Sequence, residues 1–409
     1  MKAFWWLTGA TAVSTAGNTF LYLAVPWALI HTTTSNLLAV LAMAALTAPY
    51  LAAPFLGAFI DRHDRRITFV AGDLTQAGAV AVIPLMLALG QVGAVFVALC
   101  VAGLAKVVSD LSNDYGLIPS LVPRDRIDQA ASWFSSAQLV ARFSGPALAG
   151  VTIATVGTTW ALLIDSATFL VTCCAVYFVP RTAPGSRESS ITTMLRAGIA
   201  YFRSRPDLQR LTAALALYNL GAGALEPTLL TVGARQWSWS STALGIAVSA
   251  GAVAASIGAA ASPLLRAGGP RASRGHQGRH RRIGIWLAII AAGACCLLVS
   301  VPLGVVAGFC LLCFGEGGVN AATMAYRQQE IPPELSGRVN AVIRTFITGA
   351  VPVSALLLGM TASLTGSLQV FFPVAITAVL AVVVWNLRAE RSAAPAPAQP
   401  VAVAERTAL

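Results

Sequence analysis

Six polar side chains in this chain interrupt long apolar runs: Asn18, Lys106, Asp110, Arg142, Glu226 and Glu316. A charged side chain at bilayer depth costs about 3 kcal/mol or more unless it is paired or hydrated, so each of these residues is a candidate for function. Lys106, Asp110 and Asp114 follow at i, i+4 and i+8, which puts them on one face of a helix. Lys106 lies about 13 residues into its run, or roughly 20 Å at the helical rise, near the bilayer midplane. Arg142 and Glu316 are similarly deep, and Glu226 lies closer to the outer end of its run beside Pro227. Groups of this kind can pair, separate and carry protons. Catalytic signatures are absent: there is no H-E-x-x-H, no G-x-S-x-G and no G-x-x-x-x-G-K-[ST] phosphate loop. The histidines (His31, His63, His276, His280) are expected in loops. All seven cysteines sit in apolar runs, and Cys310 and Cys313 have no second pair beside them. The sequence therefore predicts no catalytic residue, metal, disulfide or cofactor.

The elements that carry these groups follow from composition. Of 409 residues, 56% are hydrophobic and 11% charged, and the mean hydropathy is +0.73. A soluble domain carries roughly 25% charged residues, so this chain cannot cover itself with a water-facing surface. A span needs about 20 mostly apolar residues. The segments that qualify are 4–30, 37–59, 67–89, 92–116, 129–155, 159–179, 210–232, 241–264, 283–301, 304–328, 339–361 and 367–387. The run from Phe4 to Ile30 is longer than a signal-peptide core and reads as the first span. The fold class is an all-α polytopic membrane protein with twelve transmembrane helices.

Loop charge sets the expected orientation. The net charge of +11 is spread in short arginine bursts between spans, which excludes a nucleic-acid-binding face and fits loops at a membrane surface. With Lys2 inside, the inside loops carry Arg62, Arg65, Arg66, Arg124, Arg126, the 181–205 and 266–282 clusters and Arg338. The outside loops carry Arg235 alone. This asymmetry predicts an even number of spans with both termini cytoplasmic.

The expected division is an N-terminal six-helix half (1–180), a cytoplasmic linker (181–209), a C-terminal six-helix half (210–387) and a disordered tail (388–409). Within the linker, Ile191 to Phe202 predicts a surface helix with Met194, Leu195 and Ile199 toward lipid. The stretch Tyr115…Ala130 is similar to Tyr326…Ala341 at an offset near half the chain, as two pseudo-repeats require. At that offset Lys106 and Glu316 occupy equivalent positions.

Motifs carry the argument to a family. Gly57-Ala-Phe-Ile-Asp61-Arg62-His63-Asp64-Arg65-Arg66 resembles the G-x-x-x-D-R-x-G-R-R signature of the major facilitator superfamily, in its usual place between the second and third helices. Asp64 stands where that signature has glycine. Ala141-Arg142-Phe-Ser-Gly145-Pro146-Ala-Leu-Ala149-Gly150 resembles the G-x-x-x-G-P-x-x-G-G motif of exporters in the superfamily, with alanine at two glycine positions. Asp165-Ser-Ala-Thr-Phe169, Pro119 to Arg124 and Gly337-Arg338-Val-Asn-Ala341 resemble the macrolide-efflux and siderophore-exporter branch. Asn18 stands where that branch often has aspartate.

The resemblance implies the major facilitator fold in the bacterial plasma membrane, as a monomer. It implies proton-coupled export of a small amphiphilic compound (drug, antibiotic or siderophore) by alternating access. Import of a small metabolite and a non-transporting receptor are the alternatives. The superfamily lines its central cavity with helices one, four, seven and ten. Lys106 and Glu316 would then pair in one state and separate when substrate or a proton binds.

Overall fold

The structure, a computed structural model, describes residues 2–33, 35–60, 63–112, 127–177, 191–264, 276–299, 301–365 and 371–386. These residues are almost entirely helical. α1 is Lys2–Thr32. α2 (Asn36–Thr47) continues through a 3-10 turn, Ala48–Ala52, into α3 (Ala53–Ile60). Then come α4 (Arg65–Ala88), α5 (Val92–Ser112), α6 (Ile127–Tyr177), α7 (Ile191–Arg203) and α8 (Pro206–Ala222). The chain continues with α9 (Leu225–Gln236), α10 (Ser241–Ala261), α11 (His276–Cys296), α12 (Pro302–Glu330), α13 (Pro333–Thr365) and α14 (Phe372–Asn386).

These helices are apolar on both faces. On α5, Val95, Leu99 and Ala102 are buried while Val97, Val101 and Leu104 are exposed. On α14, Val374, Ala378 and Ala381 are buried while Ile376, Val379 and Val383 are exposed. A helix in water turns a polar stripe outward, and one surrounded by lipid has no need of it. Among the described residues, seven helices are long and apolar enough to cross a membrane, and the stretches Leu37–Ala52 and Phe372–Asn386 are shorter apolar helices. The chain is thus an all-helical, multi-pass membrane protein.

Where the twelve predicted segments are described, each falls mainly on helix, with instructive differences at the joints. Segments 129–155 and 159–179 are the two arms of α6, reversed at Gly157. Its φ of 88° is a left-handed conformation that a side chain would oppose. Segment 210–232 begins earlier, with Pro206 in the first turn of α8, and breaks between α8 and α9. Pro227 explains the break, because its ring would clash with the carbonyl four residues back. The histidines are also corrected: His31 closes α1, while His276 and His280 lie in the basic first turns of α11. Helix extension costs little once a span has nucleated. His280 is further held by its ring stacking on Trp385 at 4.3 Å and its carbonyl accepting from Trp385 Nε1 at 3.0 Å.

Two large buried clusters and a small one (Phe4, Leu7, Phe69 and Val176) form the interior among the described residues. One large cluster includes Phe20, Val80, Leu99, Ala161 and Phe169, from α1, α4, α5 and α6. The other large cluster includes Trp286, Tyr326, Phe371 and Trp385, from α11, α12 and the start and end of the α14 stretch. α7 and the residues just after it are pinned to the end of α12 and the middle of α13. Tyr201 Oη donates to the Glu330 carbonyl at 2.8 Å, and Arg205 Nη2 lies 2.6 Å from Glu330 Oε2. Phe202 stacks on Phe346 at 6.1 Å. Ile199 is exposed, as predicted, while the Met194 and Leu195 side chains lie outside the described residues.

Candidate functional site

α5 positions the central cation. Lys106 Nζ lies 3.3 Å from Asp110 Oδ1, one helical turn on. The second carboxylate oxygen, Oδ2, accepts from Tyr50 Oη at 2.6 Å, so the 3-10 turn after α2 helps to fix the anion. The guanidinium of Arg344, from α13, sits over the Tyr50 ring at 5.7 Å. Lys106 and Asp110 side chains are 19% and 36% exposed, so the pair is partly screened. Its coupling is expected to be about 1 kcal/mol, the upper part of the range for accessible pairs. A double-mutant cycle of Lys106→Met and Asp110→Asn, read by unfolding in detergent, measures it. Coupling near zero would mean the two charges act independently.

Beside this pair α1, α4, α5 and α6 enclose a polar cavity of about 40 Å³, which has room for a few water molecules. Asn18, Lys106 and Asp110 line it together with Asp73, Gln76 and Thr172. Asp73 is buried, and its carboxylate accepts from the Thr172 hydroxyl and from Gln76 Nε2 at 3.2 Å. Gln76 Nε2 also donates to Ser109 Oγ at 3.2 Å. Three helices are thereby joined through polar groups at a depth where water is scarce. Asn18 Nδ2 donates to the Ser14 carbonyl at 3.0 Å, which anchors it on α1 at the cavity wall.

Electrostatics link the remaining predicted residues to Tyr22 of α1: Lys106, Asp110, Glu226 and Arg142 all lie within electrostatic reach of its hydroxyl. Glu226, in the first turn of α9, is within electrostatic reach of Glu316 of α12. Glu316 in turn lies within electrostatic reach of the Tyr218 hydroxyl of α8. In this conformation Lys106 is bound to Asp110. The equivalent pair is not joined directly.

The two motifs have distinct surroundings. Gly145 faces α1, where an added Cβ would lie 2.4 Å from Thr19 Oγ1. Pro146 and Gly150 face α10: the Ala147 N–H donates to Ser249 Oγ at 3.0 Å, and Ser241 Oγ donates to the Gly150 carbonyl at 3.0 Å. At the other motif Asp64 caps α4, its side chain accepting from the Arg66 N–H at 2.9 Å. That capping role gives the departure from glycine a physical reason. Arg66 reaches the end of α6, donating to the Tyr177 carbonyl at 2.9 Å and lying over its ring at 5.6 Å. Arg65 opens α4 and Gly57 lies in α3, while Asp61 and Arg62 fall outside the described residues.

Residues 7–350 match the family described as Major Facilitator Superfamily. The chain belongs to the Major Facilitator Superfamily. Like that family it is a secondary transporter that moves small molecules across a membrane, and it is not an enzyme. It is 24% identical over 402 residues to the multidrug efflux pump Tap of Mycolicibacterium fortuitum, covering 93% of this chain and 95% of the pump. It is 26% identical over 396 residues to the uncharacterized MFS-type transporter y4rN of Sinorhizobium fredii, covering 92% of each. Its fold is similar to that of a bacterial homologue of the iron transporter ferroportin in the inward-facing state, with a TM-score of 0.74 at 17% identity over 94% of this chain and 98% of that one. It is also similar to the nucleoside transporter NupG, with a TM-score of 0.70 at 12% identity over 94% of this chain and 98% of that one.

Four residues near these charges lie outside the set expected from sequence: Asp73, Gln76, Tyr50 and Tyr218. Asp73 and Gln76 interrupt an apolar segment at i and i+3, the same signal that singled out Lys106 and Asp110, and it was there to be found. Tyr50 and Tyr218 give no such signal, because tyrosine is common in membrane helices. Their roles emerge only when a carboxylate on another helix is placed against them.

Proposed function

We propose that this transporter is a proton-coupled exporter of a small amphiphilic compound (drug, antibiotic or siderophore) that works by alternating access. One observation carries the reading. Charges of both signs, Lys106, Asp110, Arg142 and Glu226, lie within electrostatic reach of Tyr22, and Glu316 lies within reach of Glu226. Such a set of charges can hold a proton or a polar substrate group and exchange one for the other. The exporter-like helix motif and the similarity to the pump Tap favour efflux over import.

In this reading twelve spans form two halves, 1–180 and 210–387, joined by the linker 181–209, with the tail 388–409 in the cytoplasm. The protein is a monomer in the bacterial plasma membrane with both termini inside, as the loop arginines favour. The gating motif is Gly57, Asp61, Arg62, Arg65 and Arg66 at the cytoplasmic face. Lys106 and Glu316 pair when the cavity rearranges around them.

The test is transport of ethidium, a fluorescent cationic amphiphile, with a panel of antibiotics beside it. Cells that make the protein should extrude ethidium and tolerate higher doses of at least one antibiotic. Proteoliposomes should move ethidium in the direction opposite to an imposed proton gradient. Uptake of the same compounds into cells would replace export with import. No movement of any panel compound would leave the family assignment intact and overturn the proposed substrate class.

A further inference from the structure

α6 carries a carboxyl group that nothing in its surroundings binds. Asp165 is 0% exposed, and neither carboxylate oxygen has a hydrogen-bond partner among the described residues. A buried carboxylate ordinarily collects several donors, since its unmet charge is costly away from water. Asp73 of α4 does so, through Thr172 and Gln76. Asp165 does not, although Thr168 lies on the next turn, because that hydroxyl donates instead to the Asp165 carbonyl at 2.7 Å.

The site is also closed. The backbone of α1 passes directly over it at Gly17, where an added Cβ would lie 2.9 Å from Asp165 Oδ1 and 2.5 Å from Thr168 Oγ1. The polar cavity reaches Phe169 and Thr172 on the same helix and stops short of Asp165. A metal ion needs several oxygen ligands around it, and a water molecule needs its own volume. An occupant that needs no room is a proton.

Of the helices packed on α6, α4 carries Asp73 and α1 carries Tyr22, while the neighbouring α5 carries Lys106 and Asp110. α10, which also packs on α6, has no ionisable residue. Of these, Lys106 is the charge that acts on Asp165. Its ammonium is held at Asp110, 3.3 Å away.

We propose that Asp165 is a proton-binding site of the transport cycle, occupied while Lys106 is bound to Asp110 and emptied when Lys106 is released. In the release step the carboxyl O–H bond breaks and the proton passes to water in the adjoining polar cavity. The carboxylate left behind is met by the Lys106 ammonium, Asp110 keeps the hydrogen bond from Tyr50, and the balancing positive charge leaves with the proton. The inference rests on the proton-coupled reading given above and adds a carrier in the N-terminal half to the one sought at Glu316.

Infrared spectroscopy of the purified protein at neutral pH tests the occupied state. The wild-type minus Asp165→Asn difference should contain the carbonyl stretch of a protonated carboxyl. A difference with carboxylate bands alone would overturn the proposal. Should Asp165→Asn fail to fold, carbon-13 labelling of aspartate decides. The labelled wild type should show an isotope-shifted protonated-carboxyl band, and labelled Asp165→Glu should lose that shifted component. Retention of it in Asp165→Glu would assign the proton elsewhere.

The role in the cycle is read in proteoliposomes. Asp165→Asn should still exchange ethidium between equal concentrations but lose proton-driven accumulation. Accumulation at the wild-type level would overturn the role of Asp165. A wild-type protein that exchanges ethidium but ignores the proton gradient would instead defeat the coupled-transport reading, whatever the infrared result.

Discussion

Glu316→Gln is expected to abolish proton-driven transport while folded protein remains in the membrane. Glutamine keeps the length and shape of the side chain and leaves a carbonyl oxygen near the Tyr218 hydroxyl. What it loses is the ability to bind and release a proton. The position is exposed to that loss because its neighbour Glu226 is also acidic, so the pair can share charge and proton between them. An intramembrane acid that only helped packing would tolerate the exchange, whereas one in the proton path would not. Proton-driven ethidium accumulation should fall by about tenfold or more, a change of about 1.4 kcal/mol in the limiting step. Size-exclusion profile and thermal unfolding in detergent should match the wild type. Full accumulation by Glu316→Gln would remove Glu316 from the coupling path. Glu226→Gln is the informative companion: a smaller loss there would mean that Glu316 carries most of the proton.

The sequence spoke most clearly where the bilayer constrains it. A hydrocarbon environment requires long apolar helices and punishes charge, so the apolar segments and the Lys106, Asp110 and Glu316 that interrupt them could be read residue by residue. The break before Pro227 was less visible, because a proline in a membrane segment is compatible with a kink, a break or an intact span. The partners of the charges were hidden for a different reason. Helical spacing pairs Lys106 with Asp110 within α5, and the structure has that pair. Spacing cannot reveal that Tyr50 donates to the same carboxylate from 60 residues away, or that Asp165 lies under Gly17 with no donor at all. Those facts belong to the packing of one helix on another.

Helix packing also sets the second large effect. Gly245→Val is expected to destabilise the protein and reduce transport together. On Gly245 an added Cβ would lie 2.3 Å from the Pro146 carbonyl oxygen and 3.2 Å from Gly150 Cα, all of it backbone. Backbone cannot swing aside as a side chain can, so α6 and α10 must separate. The separation also strains two polar contacts across the seam, Ala147 N–H to Ser249 and Ser241 to the Gly150 carbonyl. Overpacking of this kind costs about 1–3 kcal/mol, and each neutral hydrogen bond adds about 1 kcal/mol. Small residues at such a seam are what let two membrane helices meet at backbone distance. In the proposed division α6 and α10 belong to different halves, so the seam is a contact that rocking would have to make and break. Ser249→Ala separates its two roles, since it removes one hydrogen bond without forcing the helices apart. Ser249→Ala should shift thermal unfolding slightly and leave ethidium accumulation near wild type, while Gly245→Val lowers both. If Gly245→Val unfolds and transports like the wild type, α6 and α10 are not held at backbone distance in the membrane, and the exporter-like motif has another purpose.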